Sequence, residues 1–584
     1  ALPKRDFPPT IPPPMKDQLI HALHTASNLP LEVIEKNLGP TKDTKLGDLA
    51  FPCFLLAKEW GTPPPECAKK LQSLVTLPVG FAKAEAMGPY LNFFYDREAS
   101  LARITSEVIS SGAGYGTRKR DATVVIDFSG PNISKPFHVG HLRTTIIGWC
   151  LYNTFKHLGY NVVGVNHLGD WGTQFGFVYA GCQIWGRPGN NMNDLVGRYV
   201  DANLLRKEQD QGKSLDQPNV NEIARDYFKR LEAGDPEALE FWDWNMLVSK
   251  SYYEQIYARM GIHFDSWNGE SFYIQFNDAF TTKLRESGIL TESRGALGVD
   301  LGEPLGFARL LTEDGRTLYQ TRDAITADYR ERTYQPERIL YVVGAPQTLH
   351  FKQLKAIFEK LNPPLAEKIV HIPYGHVPGI STRKMKGDAG DISLDALLDD
   401  AHERAKTAYE SEVSKRPEGI DVEMVAENVG LGAVYFNYLC RTNVKEFHFS
   451  WDEALNFKGD TGPYLMYAVA RLYSMEERAR AEGIIVSNTT NGAKLPEPEA
   501  WEIATILSRF SAVLDRTASD YEPCNICNYA LDLAKAISRA YVKLRVLGED
   551  DQETAQARLN LFVAARTVLA ASLKLLGIKP LERM

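Results

Sequence analysis

Residues 123–174 read TVVIDFSGPNISKPFHVGHLRTTIIGWCLYNTFKHLGYNVVGVNHLGDWGTQ, and the order of patterns in this stretch decides the fold. Val124 to Phe128 is a short apolar, β-branched run suited to a buried strand, and Ser129-Gly130-Pro131 cannot continue a ladder. From His141 to His157 apolar residues return at helical spacing (Leu142, Ile146, Trp149, Cys150, Tyr152, Phe155), Gly159 stands where a helix end favours glycine, and Asn161 to Val165 is strand-like again. The unit is βαβ. It places residues 129–140 at the carboxyl end of a parallel sheet, against the positive end of a helix, where open α/β sheets bind nucleotides.

The chemistry of that loop suits phosphate. His138 and His141 can donate hydrogen bonds to phosphate oxygens, Lys135 adds a mobile positive charge, and Gly140 is expected to leave room for a ligand against the backbone. With these residues in place, DFSGPNISKPFHVGHLR resembles the HIGH signature of class I aminoacyl-tRNA synthetases, in the form found in arginyl-tRNA synthetases. The resemblance implies ATP at Lys135, His138, Gly140 and His141, and arginine beside Asp127, Ser129, Gly130, Asn132 and His141.

At 584 residues the chain exceeds a single core, and about 150 residues per domain suggests three or four units. A composition of 44% hydrophobic, 24% charged and 10% aromatic residues is that of a soluble globular protein. Neither a bilayer-spanning run nor a secretory segment stands out, so no membrane partner is expected. A cytoplasmic protein is expected, with mitochondrial import left open by the Pro-rich opening. Seven scattered cysteines argue for reduced thiols, and the lone Cys524/Cys527 pair lacks a second pair or histidine cluster, so no structural metal is expected. A net charge of −8 argues against a generic nucleic-acid coat while leaving room for a local basic surface.

Residues 1–120 read as a separate α+β module, with a helical pattern from Met15 to Leu38 and a strand at Pro89 to Tyr95. KLGDLAFPCFLLAK (from Lys45) and GPYLNFF (from Gly88) resemble the N-terminal domain of arginyl-tRNA synthetases, which contacts the tRNA elbow and lends an asparagine to the amino-acid pocket. Asn92 is the matching residue.

Residues 121–398 are expected to form a Rossmann-type catalytic domain, interrupted at about 186–268 by a polar insertion with helical runs at Glu222 to Leu231 and Phe241 to Met260. The sheet is expected to resume through NGESF (from Asn268), GALGVDL (from Gly295), DGRTLYQTRDAITADY (from Asp314) and RILYVVGAPQTLHFKQL (from Arg338). LYQTRD and YVVGAPQTLHF resemble the arginyl-tRNA synthetase pocket and imply Tyr319, Asp323, Gln347 and Glu270 as arginine-binding residues. Their types suit a guanidinium, a planar fork of donors that needs carboxylates and oxygen acceptors. Residues 371–398 occupy the place of the second class I signature. The resemblance runs through Ser381, Thr382, Arg383 and Lys384, which implies Lys384 at ATP. Residues 385–391 look longer and more acidic than the family form, and Lys135 is implied to replace its missing second lysine.

From about residue 399 helical spacing dominates, so 399–584 is expected to be a bundle. FKGDTGPYLMYAVARL (from Phe457) and AISRAYVKLRVLGED (from Ala536) resemble the anticodon-binding domain and imply Tyr464, Tyr467 and Tyr541 as stacking platforms for unpaired tRNA bases. Residues 401–584 hold 22 Lys and Arg against 26 Asp and Glu, so the bundle is not basic overall. Met466 and Val469 stand where the family pattern has Gln and His.

The expectation is an α/β protein: a Rossmann-type class I synthetase domain with a helical insertion, an N-terminal α+β domain and a C-terminal all-α bundle. It would act as a monomer, activating L-arginine with ATP and Mg2+ as arginyl-adenylate and passing it to tRNA. The alternatives are a divergent paralogue that supplies activated arginine or arginyl-tRNA to a non-translational product, and a catalytically inactive RNA-binding regulator.

Overall fold

The computed structural model describes residues 13–41, 46–213, 216–293, 295–313, 317–378, 393–412 and 419–584. The described residues begin with two helices, Pro13–Ser27 and Leu31–Asn37, where the spacing suggested one. Asn28 takes a left-handed φ of 61° and Pro30 follows, which stops the helical ladder before it restarts. Strands β1 (Gly39–Pro40), β2 (Leu49–Pro52), β3 (Phe81–Met87) and β4 (Tyr90–Tyr95) form an antiparallel sheet in the order β1-β2-β4-β3. Its buried Phe51, Leu91 and Phe93 share a core with Leu19 and Leu23 of the first helix.

Strands β5 (Thr123–Asp127) and β6 (Asn161–Val165) flank helix Leu142–His157, as the βαβ pattern requires. With β10 (Arg338–Gly344) and β11 (Ile369–Tyr374) they make a parallel sheet in the order β11-β10-β5-β6. The central strands are apolar on both faces, and alternate residues enter different cores. Val124, Ile126, Leu340 and Val342 pack with helix Leu142–His157 and the C-terminal bundle, while Val125, Ile339 and Tyr341 pack on the opposite side with Ala324 and Phe358.

Only the Arg338 segment of the four expected ones enters that sheet. NGESF instead starts helix Glu270–Tyr273, because the Asp170 carboxylate accepts Ser271 N at 2.8 Å and Ser271 Oγ at 2.6 Å and fixes a helical turn. GALGVDL supplies β8 (Ala296–Asp300), which pairs antiparallel with its sequence neighbours β7 (Thr291–Ser293) and β9 (Phe307–Thr312) in a separate sheet. Tyr319–Tyr334 is a helix, burying Ala324, Ile325 and Ala327. The strand that completes the parallel sheet is β11, which runs into the segment read for its second signature.

Within the expected insertion lie helices Met192–Asp210, Val220–Glu232 and Pro236–Met260. The C-terminal bundle comprises helices Leu394–Glu412, Val422–Leu439, Gly462–Ala481, Pro498–Ser508, Phe510–Asp520, Cys524–Lys543 and Gln552–Leu575. Arg509 separates helices Pro498–Ser508 and Phe510–Asp520. Arg143 joins sheet and bundle: its guanidinium donates to the Gly375 carbonyl at 2.6 Å, Lys445 at 2.9 Å and Thr442 at 3.3 Å. Among the described residues no helix is long and apolar enough to cross a membrane.

Candidate active site

The four strands of the parallel sheet run one way, so the loops after β5, β6, β10 and β11 arrive at a single edge. The loop after β5 is strained. Ser129, Gly130 and Ser134 have φ of 75°, 59° and 61°, and a non-glycine residue in that region costs about 1–3 kcal/mol. Hydrogen bonds, each contributing about 0.5–1.5 kcal/mol, offset that strain. Ser129 Oγ lies 2.8 Å from Thr145 Oγ1 and 2.6 Å from Tyr257 Oη, and Gly130 N donates to Asn166 Oδ1 at 3.1 Å. Ser134 N donates to Ser249 Oγ at 3.0 Å and Ser134 Oγ to Asn245 Oδ1 at 2.8 Å. Tyr253 Oη donates to the carbonyls of Asn132 at 2.6 Å and Lys135 at 2.9 Å.

Asn245, Ser249, Tyr253 and Tyr257 recur every four residues on helix Pro236–Met260 and so share one face. The helix expected to be part of an insertion is therefore a wall of the site. Sequence reasoning missed these supports, and amide and hydroxyl side chains recurring at spacing four on one helix were the available signal.

At the phosphate signature, Gly140 N donates to His138 Nδ1 at 3.0 Å, and a Cβ on Gly140 would stand 2.6 Å from His138 Cε1. The glycine thus makes room for the His138 ring, where the sequence suggested room for a ligand. The His138 and His141 rings are 4.0 Å apart. Burial, reinforced by His138 and Lys135, pushes the His141 pKa down to about 3, so its imidazole is neutral near pH 7, and its buried Nδ1 has no hydrogen-bond partner. Lys135 Nζ donates to Gln174 Oε1 at 3.3 Å and lies 5.9 Å from the Tyr199 ring centre. Burial lowers its pKa below the usual lysine range.

Beside this loop opens a cleft of about 770 Å³ whose lining includes His167, Glu270, Tyr273, Tyr319, Arg322 and Asp323. Burial raises the Glu270 pKa and the nearby His167 and Arg322 lower it; Arg322 Nη1 is 3.4 Å from Glu270 Oε2. Asp323 pairs with His350, not with its neighbour Arg322, at 2.5 Å. The Tyr319 ring lies 5.0 Å from that of His350. Asp127 Oδ2 is 2.7 Å from Nη2 of the fully buried Arg330. That approach lacks hydrogen-bond alignment and is a charge contact, supported by the Tyr341 ring 5.2 Å from the guanidinium.

Gln347 is exposed at the end of the short turn Ala345–Gln347 that follows β10. Asn92 is not drawn to this edge by any polar contact. It sits in the N-terminal sheet with Nδ2 on Met87 Sδ at 3.3 Å and a buried Oδ1 that has no partner. Lys384, with the rest of the second signature, lies outside the described residues. In the bundle Tyr467 is exposed, Tyr464 Oη meets Ser538 Oγ at 3.2 Å, and Arg471 lies 3.5 Å over the Tyr541 ring. Met466 and Val469 are fully buried, so these two departures change packing. Among the described residues, no group of three or more His, Cys, Asp and Glu side chains is placed to hold a metal ion.

Three family models match the chain in succession: the arginyl tRNA synthetase N-terminal domain over residues 14–95, the catalytic domain of class I tRNA synthetases (R) over 104–451, and the DALR anticodon binding domain over 465–584. The arginine–tRNA ligase of Ligilactobacillus salivarius is 39% identical over 556 residues, covering 95% of this chain and 96% of its own. The chain belongs to the arginyl-tRNA synthetases. That of Lactiplantibacillus plantarum, another member, is likewise 39% identical, over 560 residues, 95% of this chain and 97% of the relative. The fold of this arginyl-tRNA synthetase chain matches the Thermus thermophilus arginyl-tRNA synthetase with a TM-score of 0.77 at 24% identity, covering 98% and 100% of the two chains. The Plasmodium falciparum arginyl-tRNA synthetase gives a TM-score of 0.77 at 21% identity, covering 97% and 99%.

Proposed function

We propose that the chain joins L-arginine to tRNA in two steps. It is a class I arginine–tRNA ligase, and its reaction depends on ATP. In the first step a carboxylate oxygen of arginine attacks the α-phosphorus of ATP, forming the acyl–phosphate bond as the bond to the β-phosphate oxygen breaks and pyrophosphate leaves. In the second, a ribose hydroxyl of the terminal adenosine of tRNA attacks the activated carbonyl and AMP leaves. Magnesium arrives with ATP as part of that substrate.

The observation that carries the site reading is the meeting, at one sheet edge, of a cationic loop and a carboxylate-lined cleft. Lys135, His138 and His141 serve the phosphates, whose negative charge moves toward pyrophosphate in the transition state. A neutral His141 donates from whichever ring nitrogen carries its hydrogen. Glu270 and Asp323 receive the cationic groups of arginine, while Asp127 acts from beneath through its charge contact with Arg330. Lys384 serves ATP by family resemblance. Ser129, Gly130 and Asn132 shape the arginine side of the loop with Tyr319 and Gln347 at the cleft, and Asn92 reaches arginine from the N-terminal module.

Tyr467 is the open stacking platform for an anticodon base, with Tyr464 and Tyr541 beside it. The N-terminal module, the sheet-bearing unit and the bundle act as the three domains, within one cytoplasmic monomer. All seven cysteines are buried and unpaired, which supports a reducing compartment.

Arginine-dependent pyrophosphate exchange, with and without tRNA, tests the reaction, and charging of tRNA with labelled arginine tests its product. Exchange without charging would overturn the second step. Absence of both in the folded full chain would overturn the reading.

A further inference from the structure

Three carboxylates at the site already hold a partner from the chain itself: Asp127 with Arg330, Asp323 with His350 and Glu270 with Arg322. Burial separates them. The Arg330 side chain is 0% exposed and that of His350 11%, whereas Arg322 is 38% exposed and makes the longest contact, 3.4 Å. A guanidinium sealed from water cannot leave Asp127 without stranding both charges. Arg322 can rotate off Glu270 into solvent, where its charge is well hydrated. Glu270 is different, because it is more buried than Arg322 and burial already raises its pKa, so its carboxylate gains more from a nearby cation than Arg322 gains from a nearby anion. The cleft that Glu270, Arg322 and Asp323 line has a volume of about 770 Å³ for a ligand.

We infer that Arg322 is a positioning residue of the amino-acid subsite that works as an internal competitor: its guanidinium occupies Glu270 in the ligand-free chain and gives way to that of incoming L-arginine. The inference rests on the arginine–tRNA ligase reading. Like replaces like in this exchange, so the ligand gains from Glu270 only what it does not lose in displacing Arg322. Apparent affinity is then reduced by the fraction of molecules whose Glu270 is open, and the side chain at position 322 sets that fraction. Removing Arg322 should tighten arginine binding, the reverse of what truncating a substrate contact or a structural ion pair does.

The test is calorimetric titration of the full chain with L-arginine at pH 8, without ATP, for wild type, Arg322→Met and Arg322→Lys. Arg322→Met should bind about three- to tenfold more tightly than wild type and Arg322→Lys should fall between them, as expected for a partly exposed ion pair that holds Glu270 in most molecules. Repeating the titration at pH 5.5 should shrink the advantage of Arg322→Met. Its Glu270 has lost a cation that lowers the carboxyl pKa and protonates at higher pH than in wild type.

Equal or weaker binding by Arg322→Met at pH 8, with an unchanged melting temperature, overturns the inference while leaving the enzyme reading intact. If Arg322→Met fails to fold, Arg322→Lys decides alone, and binding no tighter than wild type overturns the inference. A wild-type chain that folds and binds no arginine overturns the reading itself.

Discussion

His350 Nε2 lies 2.5 Å from Asp323 Oδ2, so Asp323 meets the cleft with one oxygen already committed and Oδ1 as its open acceptor. Asp323→Asn keeps the shape and removes the charge. Leaving a buried cation short of its partner costs about 3–5 kcal/mol, so arginine affinity should fall by roughly two orders of magnitude or more. Calorimetry with L-arginine reads this directly, and unchanged affinity would remove Asp323 from the arginine site. His350→Ala should weaken binding less, because the carboxylate survives and loses only its orientation.

Lys135 is half-buried and donates to the neutral Gln174 amide at 3.3 Å, a contact that leaves its positive charge for phosphate. Lys135→Ala should slow arginine-dependent pyrophosphate exchange by about a hundredfold or more, the effect of losing a transition-state donor of roughly 3 kcal/mol. Because burial lowers the Lys135 pKa, the rate should also begin to fall below the usual lysine range as pH rises. Near-normal exchange by a folded Lys135→Ala would sink the assignment.

His141 makes stability depend on pH. Its folded pKa of about 3 lies below the unfolded value of 6.5, so below pH 6.5 the unfolded chain binds a proton that the folded chain refuses. The neutral ring's contribution is whole above pH 6.5 and is lost as pH falls toward 3. At about 1.36 kcal/mol per pH unit, wild type should lose roughly 2 kcal/mol more than His141→Asn between pH 6.5 and 5. Denaturant melts at the two pH values measure the difference, and parallel losses would contradict a neutral buried His141.

Arg330→Met should strand Asp127 and destabilise the fold by about 3–5 kcal/mol. Adding Asp127→Asn should restore part of that loss, because the uncompensated charge goes with it. A double variant no more stable than Arg330→Met would mean that Arg330 stabilises through its packing on Tyr341.

The βαβ unit was legible because its signals are local: an apolar β-branched run, helical spacing and a glycine end. The first nearly coincides with β5, and the helix and second strand follow as expected. β8 read correctly as a strand, but its sheet depends on pairing with β7 and β9, which periodicity within one segment does not encode. Helix Glu270–Tyr273 was illegible because the carboxylate that starts it belongs to Asp170, a hundred residues upstream in order of magnitude. In the site, residue types announced the acidic subsite, whereas its partners emerge only in the fold: Arg330 and Arg322 when helix Tyr319–Tyr334 meets β5 and helix Glu270–Tyr273, and His350 when helix Thr348–Leu361 meets Asp323. Gly140 shows the same limit: the sequence marks a place without a side chain, and the structure shows which ring fills it.

The stripe Asn245, Ser249, Tyr253 and Tyr257 makes helix Pro236–Met260 intolerant of changes in length. Successive residues turn by about 100°, so one residue inserted between Trp244 and Asn245 would rotate all four groups away from the loop they hold, or else push the strain into the turn that precedes the helix. Among the described residues of the segment joining helices Met192–Asp210 and Val220–Glu232, none hydrogen-bonds to the loop after β5. Substitution can thus spare helix Pro236–Met260 if hydroxyls and amides are kept in phase, while addition or loss of a single residue there reaches the loop after β5 through four misaligned hydrogen-bonding groups at once.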